Sequence, residues 1–440
     1  MRILVLAYYF PPFGGGSSER IHHFVKNLPR SGITPVVVTV RSDFHETSYR
    51  DPSLERQYDP SVTVVRTAML FGRFLKNQKE IVMSSKSADS RSSDTWIKWI
   101  KRKLLGMLVP DQQLLWQPYA FTTSKKIIKK RDINLIFSTG APFSSHFCAS
   151  ILSKITKVPL VLDYRDLWTE NVLIKQGVGE YVNQKMEAFS LRQASRVIFT
   201  NEEAAEVTIT RFGLDRAMVE ILENGYDADA IGRLKGTLVK SAIATDVLEP
   251  KPLSINYIGS LTRHRSPRSF FEALLSLRAQ NPRLNLDVKF FGFAAYEHIN
   301  LSKAMGLDDI VNFQGVVSKE NSLKIMCEDS DVLLVFQRDI EGGGTAIPGK
   351  VYEYLASGIP ILCLDQNNGP TSRLLKQMGS RLCSGYDDVQ TISKQLHSLI
   401  TAYDSHLVIS AKMVSEVRCF DRKALTIRLS RILSEAVENI

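Results

Sequence analysis

Short, unbroken apolar runs alternate with segments of helical length along nearly the whole chain. The first half carries "RILVLAYYF", "TPVVVTV", "INLIFSTG", "VPLVLDYRD" and "SRVIFTN", and the second carries "LSINYIGS", "LDVKFFGF", "IVNFQG", "SDVLLVFQ" and "IPILCLD". Runs of this kind suit strands buried on both faces, and the helical segments between many of them suit parallel crossovers. Two such sets predict an α/β protein with two doubly wound sheets.

Between the sets, residues 234–252 ("LKGTLVKSAIATDVLEPKP") lack a strand signal and end in a Pro-flanked basic step. The expected organisation is a first domain over residues 1–235, a linker over 236–252 and a second domain over 253–420. Residues 421–440 repeat apolar positions at spacings of three and four, an amphipathic helix that is a candidate to pack back on the first domain. A length of 440 residues fits this scheme, being too great for one ordinary domain.

Composition narrows the class without naming a function. An apolar share of 44% with 23% charged residues describes a folded, soluble chain. Only Arg2 precedes the first apolar run, no small-residue cleavage site follows it, and no run approaches the roughly 20 apolar residues that span a bilayer. The expected location is therefore cytoplasmic. The five cysteines, Cys148, Cys327, Cys363, Cys383 and Cys419, form no CxxC pair and read as neither a disulfide framework nor a zinc site. A formal charge of +10 implies an anionic partner, whether nucleotide phosphate, nucleic acid or lipid.

Four stretches could carry chemistry. "YYFPPFGGGSSERIHHF" places Gly14, Gly15 and Gly16 between a strand and a helix, where backbone N–H groups can approach an anion; the spacing fits neither the dinucleotide fingerprint nor the phosphate loop. "LVLDYRDLWTEN" puts Asp163, Arg165, Asp166 and Trp168 at a strand's carboxyl end, where open α/β sheets bind ligands, although an Asp–Arg pair is as often a structural ion pair. "YIGSLTRHRSPRSF" repeats the strand–loop–helix design with Gly259 and the basic Arg263, His264 and Arg265, which suit a diphosphate. In "EGGGTAIPGKVYEYLASGIP" a backbone-exposing loop runs into a short helix that sets Lys350 and Glu353 one turn apart. A lysine there adds positive charge for phosphate, and a carboxylate accepts hydrogen bonds from hydroxyls. A sugar nucleotide offers both groups.

These motifs together resemble the GT-B glycosyltransferases, specifically the large retaining family 4 group that includes bacterial capsule and lipopolysaccharide enzymes. The likeness runs through "YYFPPFGGGSSER", "LDYRDLW", "ENGYD", "YIGSLTRHRSP", "VNFQGVVSKE" and "IPGKVYEYLASGIPIL". It implies GT-B architecture, two Rossmann-like domains facing a cleft, with the acceptor on the first and the donor nucleotide on the second. It also implies that Glu353 binds the donor ribose, with Thr345, Ala346, Ile347 and Lys350 at the donor beside Gly259, Arg263, Arg265 and the Gly14–Gly16 loop. The fuller family pattern has a first glutamate eight positions earlier, where this chain has Thr345.

Glycosyl transfer needs the leaving diphosphate stabilised as an oxocarbenium-like centre forms. The candidates for that role are Arg265 and Lys350, with Asp163 or Asp166 orienting the acceptor or the reacting sugar. No cofactor and no metal are expected, because GT-B transferases usually need none and no DxD pattern is present. Retention at the anomeric carbon follows from the resemblance alone. The implied partners are a nucleotide-sugar donor and a glycan or polyprenyl-linked acceptor, in cell-surface polysaccharide biosynthesis. A nucleotide-sugar epimerase of the same fold and a non-catalytic sugar-nucleotide binder are the alternatives. "TWIKWIKRKLLGMLVP" combines Trp96 and Trp99 with Lys98, Lys101, Arg102 and Lys103, a basic amphipathic pattern that suits either the inner face of the cytoplasmic membrane or packing on the domain core. Nucleic acid is not expected, since no recognition motif is visible.

Overall fold

The computed structural model describes residues 1–44, 51–71, 108–170, 178–241, 251–337 except 264 and 283, 345–403 except 367, and 416–438. The basic tryptophan segment, His264 and the glycines at 342–344 lie outside the described residues. The chain forms two compact units, one of residues 1–223 with 423–440 and one of residues 224–422.

The first unit is built on a parallel sheet in the order β3-β2-β1-β4-β5-β6-β7. Its strands are β1 (Arg2–Leu6), β2 (Thr34–Val40), β3 (Thr63–Thr67), β4 (Leu135–Gly140), β5 (Leu160–Tyr164), β6 (Arg196–Phe199) and β7 (Val219–Ile221). Alternate residues of one strand serve opposite cores: Leu4 and Leu6 join one apolar cluster, Ile3 and Val5 the other. The second cluster is closed by the final helix, Arg422–Glu438, through Leu425, Leu429, Ile432, Leu433 and Ala436. Their spacing of three and four makes one helical stripe.

The second unit repeats the plan in the order β10-β9-β8-β11-β12-β13, again parallel throughout. The strands are β8 (Leu253–Ile258), β9 (Leu286–Phe291), β10 (Val311–Gly315), β11 (Val332–Phe336), β12 (Ile361–Asp365) and β13 (Cys383–Gly385). In each sheet the strand order reverses beside the first strand, between β1 and β4 and between β8 and β11. Open α/β sheets bind ligands outside the carboxyl ends of strands at such reversals.

The units part after Glu223 rather than at the expected 236–252 linker. The cause is the helix Ala228–Ser241, whose Ile231 is buried in the second unit's cluster with Leu323, Met326 and Val351. The remainder of the expected linker, 242–250, lies outside the described residues.

Candidate functional site

In the first unit, the loop after β1 delivers Gly14 and Gly15 to the start of the helix Gly16–Asn27. Gly15 has φ +84°, a conformation that favours glycine, and an added Cβ on Gly15 or Gly16 would meet nothing within 4 Å. The helix start is thus bare backbone. Arg165, just past β5, donates to the carbonyls of Ser17, Gly140 and Ala141 and so ties this helix to the ends of β4 and β5.

Asp163 does not face solvent. It is fully buried and takes a bidentate ion pair from Arg20, with Nη2 at 2.9 Å and Nε at 3.2 Å, plus a hydrogen bond from Thr139 Oγ1 at 2.8 Å. Arg20 spends its remaining donors on the carbonyls of Leu222 and Glu223. The expected reach of Asp163 towards an acceptor or sugar therefore gives way to an internal role: its carboxylate is consumed holding the helix start to β5. Asp166 is exposed, and Trp168 is buried with its Nε1 on Asn183 Oδ1 at 2.9 Å. Beside them His146 is fully buried, its Nδ1 2.9 Å from Ser138 Oγ and its Nε2 without a partner. Burial pushes its pKa down to about 3.

The second unit is built differently. β8, β9 and β10 end in Gly259, Gly292 and Gly315, with φ of +147°, +124° and +75°. Gly259 N–H donates to Phe291 O at 2.7 Å, and Gly292 N–H donates to Gly315 O at 2.6 Å. A Cβ on Gly292 would stand 2.4 Å from the Gly259 carbonyl oxygen, and one on Gly259 would stand 2.5 Å from Lys350 Nζ. The strand ends form a shelf that only glycine permits.

Lys350 lies over this shelf. It enters from the first turn of the helix Gly349–Ser357, donates to Ile258 O at 3.0 Å and sits 3.7 Å from the centroid of the Tyr257 ring. Burial, and then the nearby Arg265 charge, pull its pKa well below the usual lysine value. Arg265 donates to Ser260 O at 3.3 Å, and its Nε is buried without a partner. Among the described residues no carboxylate pairs with Lys350 or Arg265. Arg263, by contrast, is largely exposed and pairs with Glu297 at 3.3 Å.

Glu353 is 5% exposed and its Oε1 lies 2.5 Å from Lys319 Nζ and 3.9 Å from Arg422 Nη2. The approach to its helix is fixed by Gln337, at the end of β11, which donates to the Ala346 carbonyl at 2.8 Å and also to Thr371 Oγ1. Asp365, at the end of β12, accepts from the N–H groups of Gln366 at 2.7 Å and Ser372 at 2.9 Å. Thr345 is half-buried, Ala346 exposed and Ile347 buried in the core. Gly358, with φ +79°, ends the helix.

The second unit thus brings Gly259, Arg265 and Lys350 together, with Thr345, Ala346, Ile347 and Glu353 on the adjoining loop and helix. Gly14, Gly15, Gly16, Asp163 and Asp166 belong to the first unit. Arg20, Gln337, Asp365, Lys319, Gly292 and Gly315 were not foreseen from sequence. A signal for the glycines does exist: "YIGS", "FFGF" and "FQGV" each place one glycine where an apolar run stops.

Residues 14–230 match the model of Glycosyltransferase Family 4. The chain carries a glycosyltransferase family 4 domain in a GT-B fold. Similar solved structures agree in fold. Sucrose-phosphate synthase from Thermosynechococcus elongatus is 12% identical, with 100% of both chains covered and a TM-score of 0.66. The lipopolysaccharide outer core galactosyltransferase WaaB, in its apo form, is 12% identical, with 99% of each chain covered and a TM-score of 0.58. A UDP-GlcNAc 2-epimerase from Neisseria meningitidis, bound to UDP-GlcNAc, has the same fold at 11% identity, full coverage of both chains and a TM-score of 0.51. No curated protein sequence matches this chain. None of its described helices is long and apolar enough to cross a membrane.

Proposed function

We propose that this glycosyltransferase moves a sugar, with retention, from a nucleotide-sugar donor to a glycan or lipid-linked acceptor in cell-surface polysaccharide synthesis. The observation that carries the donor half is Lys350, held with Arg265 over the Gly259–Gly292 shelf with no carboxylate to neutralise either among the described residues. A desolvated, uncompensated ammonium is costly in the empty protein and is relieved by an anion, which the diphosphate of a sugar nucleotide supplies. Glu353, one turn further on, accepts the ribose hydroxyls. Its partner Lys319 holds the carboxylate in place.

As the anomeric bond breaks, negative charge grows on the leaving diphosphate. Lys350, Arg265 and the free N–H groups at the start of the Gly349–Ser357 helix meet that charge, and the reaction proceeds without a bound metal. The reading extends to a cytoplasmic enzyme that takes its acceptor at the membrane's inner face, with the Trp96–Lys103 segment as the contact; that segment lies outside the described residues.

Incubation with a panel of radiolabelled nucleotide sugars, with and without a lipid extract, tests this reading. Label appearing in the lipid or glycan fraction is the expected result. A changed sugar on an intact nucleotide would mean epimerisation, binding without turnover would mean a sensor, and either overturns transfer.

A further inference from the structure

Two cysteines far apart in the sequence come together at the edge of the second unit's sheet. β12 and β13 run parallel with Cys363 and Cys383 as direct register partners. Register partners point to the same face, and both side chains contribute to one apolar cluster. Adjacent strands lie about 4.8 Å apart, within the separation of about 4.4–6.8 Å between Cα atoms that a disulfide accepts. The side that must adjust is β13, a strand of 3 residues at the sheet edge, bonded to β12 alone.

The chemistry of the two thiols is unequal. Cys363 is fully buried, and contact with Cys383 together with burial pushes its pKa well up. Cys383 is half-buried, and its pKa is held down by the hydrogen bond from Cys363 first, then by the Lys376 ammonium and the Ser380 hydroxyl. One sulfur is therefore an accessible nucleophile and the other a sheltered thiol beside it.

We infer that Cys363 and Cys383 are a redox modification site, closing a reversible cross-strand disulfide in response to a hydroperoxide. The Cys383 thiolate attacks one peroxide oxygen, so an S–O bond forms as the O–O bond breaks and the other oxygen leaves as hydroxide or alkoxide. The sulfur gives up two electrons and becomes a sulfenic acid. Cys363 then attacks that sulfur; an S–S bond forms, the S–O bond breaks, and the hydroxyl leaves with the Cys363 proton as water. A thiol reductant reverses the bond by exchange. The link sits two residues before Asp365, whose carboxylate anchors Gln366 and Ser372 in the loop that Gln337 joins to Ala346. Oxidation would therefore act at the base of the donor-side loops.

The test uses the reduced full chain, exposed to hydrogen peroxide in native buffer, blocked with N-ethylmaleimide and digested without reductant. The expected product is a linked peptide pair containing Cys363 and Cys383, lost on adding dithiothreitol and absent from Cys383→Ser. In Cys363→Ser, whose hydroxyl can still donate to the neighbouring sulfur, the expected product is a Cys383 sulfenic acid that dimedone traps, with folding of both variants checked by circular dichroism. Recovery of Cys363 and Cys383 as separate maleimide adducts, or a link from either to another cysteine, overturns the proposal. The readout is covalent mass, so it stands or falls independently of transferase activity.

Discussion

The two sheets share a topology and differ in what they do with charge at their carboxyl ends. In the first unit the donors are spent within the protein: Arg20 is consumed by the Asp163 carboxylate, and Arg165 has its guanidinium nitrogens on three carbonyls. In the second, Lys350 and Arg265 stand together over glycine backbone, and among the described residues no carboxylate answers them. The first arrangement stabilises a fold, and the second is the one proposed to keep positive potential for a ligand. The same α/β plan thus yields a brace in one unit and, on the proposed reading, an anion site in the other.

Breaking the brace should have the largest effect. Removing one partner of a buried ion pair typically costs about 3–5 kcal/mol, so Arg20→Ala should lower unfolding free energy by that order in urea denaturation. A loss below about 1 kcal/mol, the range of a surface pair, would mean that Arg20 and Asp163 are not a structural pair. In the second unit the effect should fall on binding instead. Glu353→Gln should weaken nucleotide affinity by the value of charge-assisted hydrogen bonds, about 1.5–3 kcal/mol each, and equal calorimetric affinities for variant and wild type would remove the ribose assignment.

The shelf offers a finer comparison. Gly292→Ala drives a methyl to 2.4 Å from the Gly259 carbonyl oxygen, which is backbone, whereas Gly259→Ala meets the movable end of Lys350 at 2.5 Å. Both leave an alanine at positive φ, but only the first must also displace a strand end. Thermal unfolding should show Gly292→Ala as the more damaging, by about 1–3 kcal/mol of strain; the reverse order would contradict the shelf geometry. The smallest effect belongs to Asp166→Asn, an exposed position, where a stability change within about 0.5 kcal/mol is expected.

Much of this was legible from residue patterns alone. The ten apolar runs each contain a strand, most of them buried because strands covered on both faces must be continuously apolar, although β10 at a sheet edge exposes most of its residues. The three that carry no such signal, β3, β7 and β13, all lie at sheet edges, where shorter or less buried strands leave weaker patterns. The basic residue and carboxylate of the Lys350–Glu353 turn were visible from spacing. The fate of Asp163 was not, since its partner Arg20 lies on a helix 143 residues earlier and nothing local distinguishes a braced carboxylate from a reactive one. Gln337 and Asp365 were hidden for a different reason: each acts on loop backbone 9 and 7 residues further on, whose path no apolar pattern fixes. The pairing of Cys363 with Cys383 likewise depends on strand register, which five scattered cysteines do not reveal.

The central claim is that Lys350 is held uncompensated for a diphosphate, and proton uptake on binding tests it most directly. With its pKa depressed in the empty protein, Lys350 is charged less readily than in the unfolded chain, so between the folded and unfolded values stability rises with pH. A bound diphosphate favours the charged form and raises that pKa, so binding takes up protons and weakens as pH rises through the same window. Calorimetric titration of nucleoside diphosphates in buffers of different ionisation heat should show this uptake in wild type. It should vanish in Lys350→Met, with lost diphosphate affinity, unchanged nucleoside affinity and no loss of stability in the empty protein. Uptake that persists in the variant, or equal losses for nucleoside and diphosphate, would contradict the account.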